Sequence, residues 1–364
     1  MRQIARLSET MSGRKPRQDP RIKDFIIQNV DQHPVNIVPF AVEQLGVSRA
    51  TINRYVSRLV NDGILEAVGT TRARQYSLRD FQTDSFHIEL SDKKFSEDII
   101  LRDTVFANLE RIPDNIRDIL WIGGNEMINN VLDHSNAKNL YIDFGRNAAN
   151  VWIRIYDDGV GIFDKIRKEC HLLDARHALL ELSKGKLTTA KKEHSGEGIF
   201  FTSRMFTSFI LDSRGLIFIR RMEDSDSWLF EDKETTNFYE GTSVFMVINV
   251  TAKHTAREIY DRFENDEDPA GFAKTHVPVR LAKYPNEQLV SRSQARRVLA
   301  RFENFSEVML DFEGVPEIGQ SFADEIFRVF AEMHPGVKIV PIGMSPSVER
   351  MIKHVLRVSS TKQV

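Results

Sequence analysis

The stretch "NVWIRIYDDGVGI", residues 150–162, decides how the middle of this chain is read. Val151, Ile153 and Ile155 alternate with Trp152, Arg154 and Tyr156, the period-two pattern of a strand with one buried face. The pattern breaks at Asp157-Asp158-Gly159-Val160-Gly161. A carboxylate directly after a hydrophobic strand, followed by two glycines, places an acid at the floor of a cleft. The glycines permit torsions and a close ligand approach that a Cβ would block. An ordinary Asp-Gly turn between a strand and a helix carries the same local signature, so the flanking sequence has to decide.

Upstream, "NEMINNVLDHSNA" (125–137) sets Glu126, Asn130 and Asp133 or His134 on one helical face, while Ile128, Val131 and Leu132 point elsewhere. Alone, that face is as readily the wet side of an amphipathic helix as a binding surface. Downstream, "HSGEGIFFTSRMF" (194–206) puts Gly196 and Gly198 at the start of an apolar helix, where exposed amides favour phosphate. "YEGTSVFMVINV" (239–250) then carries Gly241-Thr242 into another buried strand.

Together and in this order, the four boxes resemble the GHKL ATPase family, which includes gyrase B, MutL, sensor histidine kinases and the anti-sigma-factor serine kinases. The resemblance covers about residues 118–250. It implies a GHKL α/β sandwich, a mixed sheet with helices on one face, with ATP and Mg²⁺ as cofactors. Within it, Glu126 is the catalytic acid that activates the attacking group, and Asn130 supplies the amide oxygen that ligates Mg²⁺. Asp157 accepts the adenine amino group, Thr242 reads adenine beside it, and Gly159 and Gly161 shape that pocket. Gly196 and Gly198 form the hinge and phosphate cradle of a lid. "NNVLDHS" is most similar to the anti-sigma kinases, whose helix ends in an acid and a histidine, which adds Asp133 to the ATP-binding set and leaves His134 as a helix cap. The segment between the glycine boxes (163–194) is the expected lid, where Lys186, Lys191 and Lys192 face either phosphate or solvent. "SKGKLTT" (183–189) lacks the spaced glycine and Lys-Ser/Thr pair of a P-loop, so that reading is rejected.

The head of the chain reads differently. "DPRIKDFIIQNV" and "VNIVPFAVEQLG" are amphipathic helices, and Ser48 caps a third, "SRATINRYVSRLVNDG", with Ile52, Val56, Leu59 and Val60 inward. "ILEAVGTTRARQYSL" follows as two strands. "LGVSRATINRYVSRLVNDGIL" (45–65) resembles the winged helix-turn-helix of bacterial transcription regulators. That resemblance implies double-stranded DNA as a partner, with Arg49, Thr51, Asn53, Arg54 and Arg58 on the groove-reading helix and Thr71, Arg72 and Arg74 on the wing. Residues 1–79 hold thirteen Lys/Arg against seven Asp/Glu, net +6, which leaves −8 for the remainder of a chain whose total is −2. A basic head on an acidic body fits a head that meets a polyanion; a winged helix used for protein docking is the competing expectation.

In the tail, "FSEVMLDF" is a buried strand and "QSFADEIFRVFAEM" an amphipathic helix with Phe322, Ile326 and Phe327 or Phe330 inward. "IGQSFADEIFRVF" (318–330) resembles the STAS-like βα domain of anti-sigma-factor antagonists. The antagonists carry a phosphorylated serine at the start of this helix; here Gln320 stands at that position, with Ser321 next to it, so the domain is expected to serve as an internal or partner-docking surface.

The fold class expected is therefore α+β multidomain: a basic flexible tail (1–18), a winged helix (19–79), a connector (80–117), the nucleotide domain (118–250), a linker (251–284) and a STAS-like domain (285–360). No run approaches the roughly eighteen apolar residues of a membrane span, and the N-terminus lacks a signal-peptide pattern. Cys170 is the single cysteine, which excludes an intrachain disulfide framework and a multi-cysteine zinc site, so a reducing cytoplasm is the expected compartment. An ATPase, an anti-sigma-type serine kinase and a non-hydrolysing nucleotide switch all fit the boxes, and homodimerisation fits the families that the chain resembles.

Overall fold

A computed structural model describes residues 19–70, 74–90, 95–172, 174–187, 197–222, 227–231, 240–264, 272–283 and 287–360. The chain divides into two compact units, one comprising residues up to Phe81 with Asn147–Ala149, the other Gln82–Arg146 and Asn150 onward.

In the first unit, α1 (Pro20–Asn29), α2 (Ile37–Leu45) and α3 (Arg49–Asn61) are followed by a hairpin of β1 (Leu65–Val68) and β2 (Gln75–Leu78). Each boundary has a local cause. Asp19 accepts from the Arg21 N–H at the start of α1, and Gly46 ends α2 in the left-handed region at φ 64°. The Ser48 hydroxyl accepts from Thr51 N–H at 3.2 Å to start α3. The inward faces, Ile22, Ile26 and Ile27, Ile37 and Val38, and Ile52, Val56 and Leu59, merge with Leu65 into one small core.

The second unit is built on a seven-stranded sheet in the order β3-β4-β5-β9-β6-β7-β8. Its strands are β3 (Gln82–Glu89), β4 (Asn139–Arg146), β5 (Asn150–Asp157), β6 (Ser208–Ser213), β7 (Leu216–Arg221), β8 (Ser227–Glu231) and β9 (Ser243–Asn249). Every neighbouring pair is antiparallel, where a mixed sheet was expected. Short hairpin connections join β4 to β5 and β6 to β7, and β9 lies between β5 and β6. One face is packed by helices: Leu140, Ile142 and Phe144, Ile153 and Ile155, and Met246 and Ile248 share a core with Ile119, Met127, Phe200 and Met205.

Those helices include α4 (Glu97–Leu101), which continues as a wider turn through Arg102–Phe106, and α5 (Asp114–Asn130), which ends in a similar π turn at Val131–Ser135. After β5 come α6 (Ile162–Glu169), α7 (Ala175–Lys184) and α8 (Gly198–Met205). The connector thus contributes β3 as an edge strand, which its polar, exposed residues did not announce.

The stretch expected as a linker holds α9 (Ala256–Asp261) and β10 (Lys274–Pro278). A reciprocal cap starts α9: the Thr255 hydroxyl accepts from Glu258 N–H, and the Glu258 carboxylate accepts from Thr255 N–H. β10 is the edge of a three-stranded parallel sheet with β11 (Glu307–Asp311) and β12 (Lys338–Ile342), and an edge strand tolerates its terminal Pro278. The crossovers are α10 (Arg292–Leu299), then α11 (Gln320–Asp324), which runs through a π turn at Glu325–Phe330 into α12 (Ala331–Met333); α13 (Pro346–Ser360) closes the chain. Among the described residues no helix is long and apolar enough to cross a membrane.

Candidate functional site

β9 lies between β5 and β6, so the end of β5 sits beside the start of β9. Tyr156 pairs with Ser243, and Asp157 N–H donates to the Thr242 carbonyl at 3.0 Å. Two residues 85 positions apart thereby share the floor of a cavity of about 280 Å³. Its opposite wall is α5 with its π turn, which contributes Glu126, Met127, Asn129, Asn130, His134 and Ser135. Gly198 and Ile199 from α8, Ile162, Lys165 and Ile166 from α6, and Leu182 and Leu187 complete it, with Ile155, Leu211 and Val244 of the sheet beneath.

The turn after β5 is fixed from both sides. The Asp157 carboxylate accepts from Gly159 N–H at 2.8 Å, and Val160 N–H donates to the Ser135 carbonyl at 2.7 Å. A Cβ on Gly159 would collide with that carbonyl oxygen, so glycine is required by close approach of the helix end. The Thr242 hydroxyl accepts from Ile162 N–H at 3.1 Å and lies 3.4 Å from the Ser213 hydroxyl. Lys165 reaches across to donate to the His134 carbonyl at 2.8 Å, tying α6 to α5.

Electrostatics separate the two adjacent aspartates. Asp157 is 4% exposed, and burial pushes its carboxyl up to about 6 despite backbone donors from Gly159 and Thr242. Burial also opposes the charge on Asp158, but donors from Asn139 and Lys138 outweigh it and hold that carboxyl below the usual range. Asp157 is therefore the acid that faces the cleft with its charge incompletely satisfied, and Asp158 is a brace for the start of β4.

Of the residues singled out in the sequence, Glu126, Asn130, Asp157, Gly198 and Thr242 meet around this one cleft. Gly159 and Gly161 form the turn under it, and a Cβ on Gly161 would come within 2.6 Å of the Ser213 hydroxyl. A Cβ on Gly198 would strike the Glu126 carboxylate, which shows how closely α8 approaches α5. Asp133 lies elsewhere, in a separate pocket with Leu90, Phe95 and Asn136. The π turn explains the swap, because it rotates His134 and Ser135 into the cleft and Asp133 out of it. Gly196, Lys191 and Lys192 lie outside the described residues, and Lys186 contacts the tail segment rather than the cleft. Lys165, Ser135 and Ser213 were missed; Lys165 lies one helical turn past Gly161, a spacing that could have suggested it, whereas nothing local marks Ser213.

Asn130 lines the cleft. Among the described residues no group of three His, Cys, Asp or Glu could hold a metal ion. A Mg²⁺ at Asn130 would therefore draw most of its oxygen ligands from a bound phosphate and water.

In the first unit, Arg49, Asn53 and Arg54 project from α3 into solvent, and Arg58 is half-buried. Thr51 is partly engaged, its hydroxyl 3.0 Å from Ser48. Arg74 is exposed and packs over Tyr76 at 5.4 Å, while Thr71 and Arg72 lie outside the described residues.

Residues 294–349 match the family described as a STAS-like domain of unknown function (DUF4325). This segment runs from α10 into α13 and includes β11 and β12. No curated protein matches the chain.

Proposed function

We infer that the second unit binds Mg·ATP in the manner of a GHKL domain and that its nucleotide state controls a DNA-binding winged helix in the first. The observation that carries this reading is the convergence of Glu126, Asn130, Asp157, Gly198 and Thr242 on one cleft. In this reading Asp157 and Thr242 receive the adenine edge at the floor, and the apolar sheet residues and Ile162 flank the ring. Asn130 holds Mg²⁺ against the phosphates. Glu126 orients a water for attack on the γ-phosphate, and the cation offsets the charge that develops.

A serine kinase is the second reading, favoured by the STAS-like domain on the same chain. There Glu126 would take the proton of a protein hydroxyl instead of a water. Incubation with Mg²⁺ and γ-labelled ATP separates the two: released phosphate supports hydrolysis, and label on protein supports the kinase. If the chain neither hydrolyses nor transfers, and Asp157→Asn leaves ATP affinity unchanged, the nucleotide reading is wrong.

DNA binding is supported by the three helices and hairpin of the first unit, its net positive charge and the exposed Arg49, Arg54 and Arg74. Charge reversal at Arg54 and Arg58 is expected to abolish a salt-sensitive duplex shift. An unaltered chain that binds no duplex at low salt would favour protein docking instead.

A further inference from the structure

Three consecutive residues just before the cleft wall are tied, one after another, to the tail segment. The Lys184 carbonyl, at the end of α7, accepts from the Thr275 hydroxyl of β10 at 2.7 Å. The Gly185 carbonyl accepts from the Arg301 guanidinium at 2.7 Å. The Lys186 ammonium donates to the Asn304 carbonyl at 3.0 Å and packs over Phe272 and Phe305. Leu187, the next residue, lines the cleft, as does Leu182 one turn back on α7.

The side chains close the same joint. Lys184 is 0% exposed, and its ammonium donates to Glu181 at 2.6 Å and to the Ala300 and Arg297 carbonyls at 2.9 and 3.3 Å. Those three acceptors satisfy all of its donors. Arg301 holds the other Glu181 oxygen at 3.0 Å. The backbone is bent to fit: Gly185, Lys186 and Arg301 all have positive φ, 77°, 52° and 66°. Non-glycine residues hold that conformation only where their surroundings over-determine it. A plain interface between packed segments would not need two successive main-chain anchors, a third through the next side chain, and a left-handed Lys186 at the point where the chain enters a cavity.

We propose that Arg301, together with Glu181, Lys184 and Thr275, positions the Leu182–Leu187 wall of the cleft, so that the STAS-like domain sets the affinity of the cleft for nucleotide. The proposal rests on the nucleotide reading above. Through this joint, anything that engages the tail near α10 changes the cleft without touching it, and the coupling is reciprocal.

The test is Mg·ATP affinity of the full chain by calorimetry, alongside hydrogen exchange at the Gly185–Leu187 amides. Arg301→Met is expected to weaken binding about five- to tenfold, within the usual range of coupling between sites, and to accelerate that exchange. Arg301→Lys keeps a cation within reach of Glu181 and should recover most of the affinity. Thr275→Val, a milder change in case Arg301→Met does not fold, should weaken binding about two- to threefold by removing one buried hydrogen bond. Folded variants that bind with unaltered affinity overturn the positioning role while leaving the nucleotide reading in place. An unaltered chain that does not bind Mg·ATP overturns the nucleotide reading, and this proposal with it.

Discussion

Asp157 at the floor of the cleft and Glu181 on α7 are buried alike, 4% and 5% exposed, yet their surroundings differ in kind. Glu181 meets two cations, the Lys184 ammonium at 2.6 Å and the Arg301 guanidinium at 3.0 Å. Asp157 has backbone donors and no ion pair among those described, and burial raises its carboxyl to about 6. A charge compensated within the protein holds structure in place. One left short of a partner beside a cavity is disposed to accept a hydrogen bond from something that enters.

That contrast can be broken most forcefully at Lys184. Lys184→Met leaves Glu181 with Arg301 alone and removes the ammonium that donates to the Ala300 and Arg297 carbonyls. Removing one partner of a buried pair typically costs about 3–5 kcal/mol, and urea unfolding should show a loss of that order. Burial already pushes the Lys184 ammonium below its ordinary range, so the cost of desolvation tempers the figure toward its lower end. A loss under about 1 kcal/mol would place Lys184 among the solvated lysines, contrary to its burial.

Asp157→Asn should act in the opposite direction. The folded carboxyl titrates at about 6, above its ordinary 3.8, so between these values the folded state binds more protons than the unfolded one. Its contribution is present below pH 4, roughly, and is lost as pH rises through about 6. The Asn variant should lack that slope and be more stable at pH 7 by about 2–3 kcal/mol, measured by denaturant unfolding from pH 4 to 8. In the nucleotide reading the same substitution weakens ADP binding, and ADP affinity of the unaltered chain falls as pH drops below about 6 while that of the variant does not share the change. A variant both less stable at pH 7 and undiminished in binding would remove the distinction drawn here.

The smallest effect belongs to Asp158. It is exposed and its acceptors are filled by Lys138 and Asn139. Asp158→Asn keeps most of those bonds, and a change below about 1 kcal/mol is expected in the same unfolding assay. A larger loss, with no effect on nucleotide affinity, would sharpen the division of labour between the adjacent acids.

Much of this layout was legible in the chain itself. Alternation along Val151–Asp157 marked an interior strand of the sheet, Ser48 marked the start of α3, and the inward stripe of α3 was correctly drawn at Ile52, Val56 and Leu59. These features depend on residues a few positions apart, and local torsions and side-chain period record them directly. β3 and β10 were not legible, because edge strands carry weak alternation and β10 ends in a proline that reads as a breaker. The Thr255–Glu258 cap was written in the sequence and passed over.

The sequence by itself determined which segments alternate, where helices begin, and which acids, amides and glycines were worth watching. Only the tertiary structure decided which of them meet. Inserting β9 beside β5 joined Thr242 to Asp157, and a π turn exchanged His134 for Asp133 at the cleft wall. Packing of the tail against α7 buried Lys184, which by composition is one more lysine in a polar run. Such choices rest on contacts between residues far apart in the chain, whose energies depend on what is excluded from water, and no local pattern encodes that.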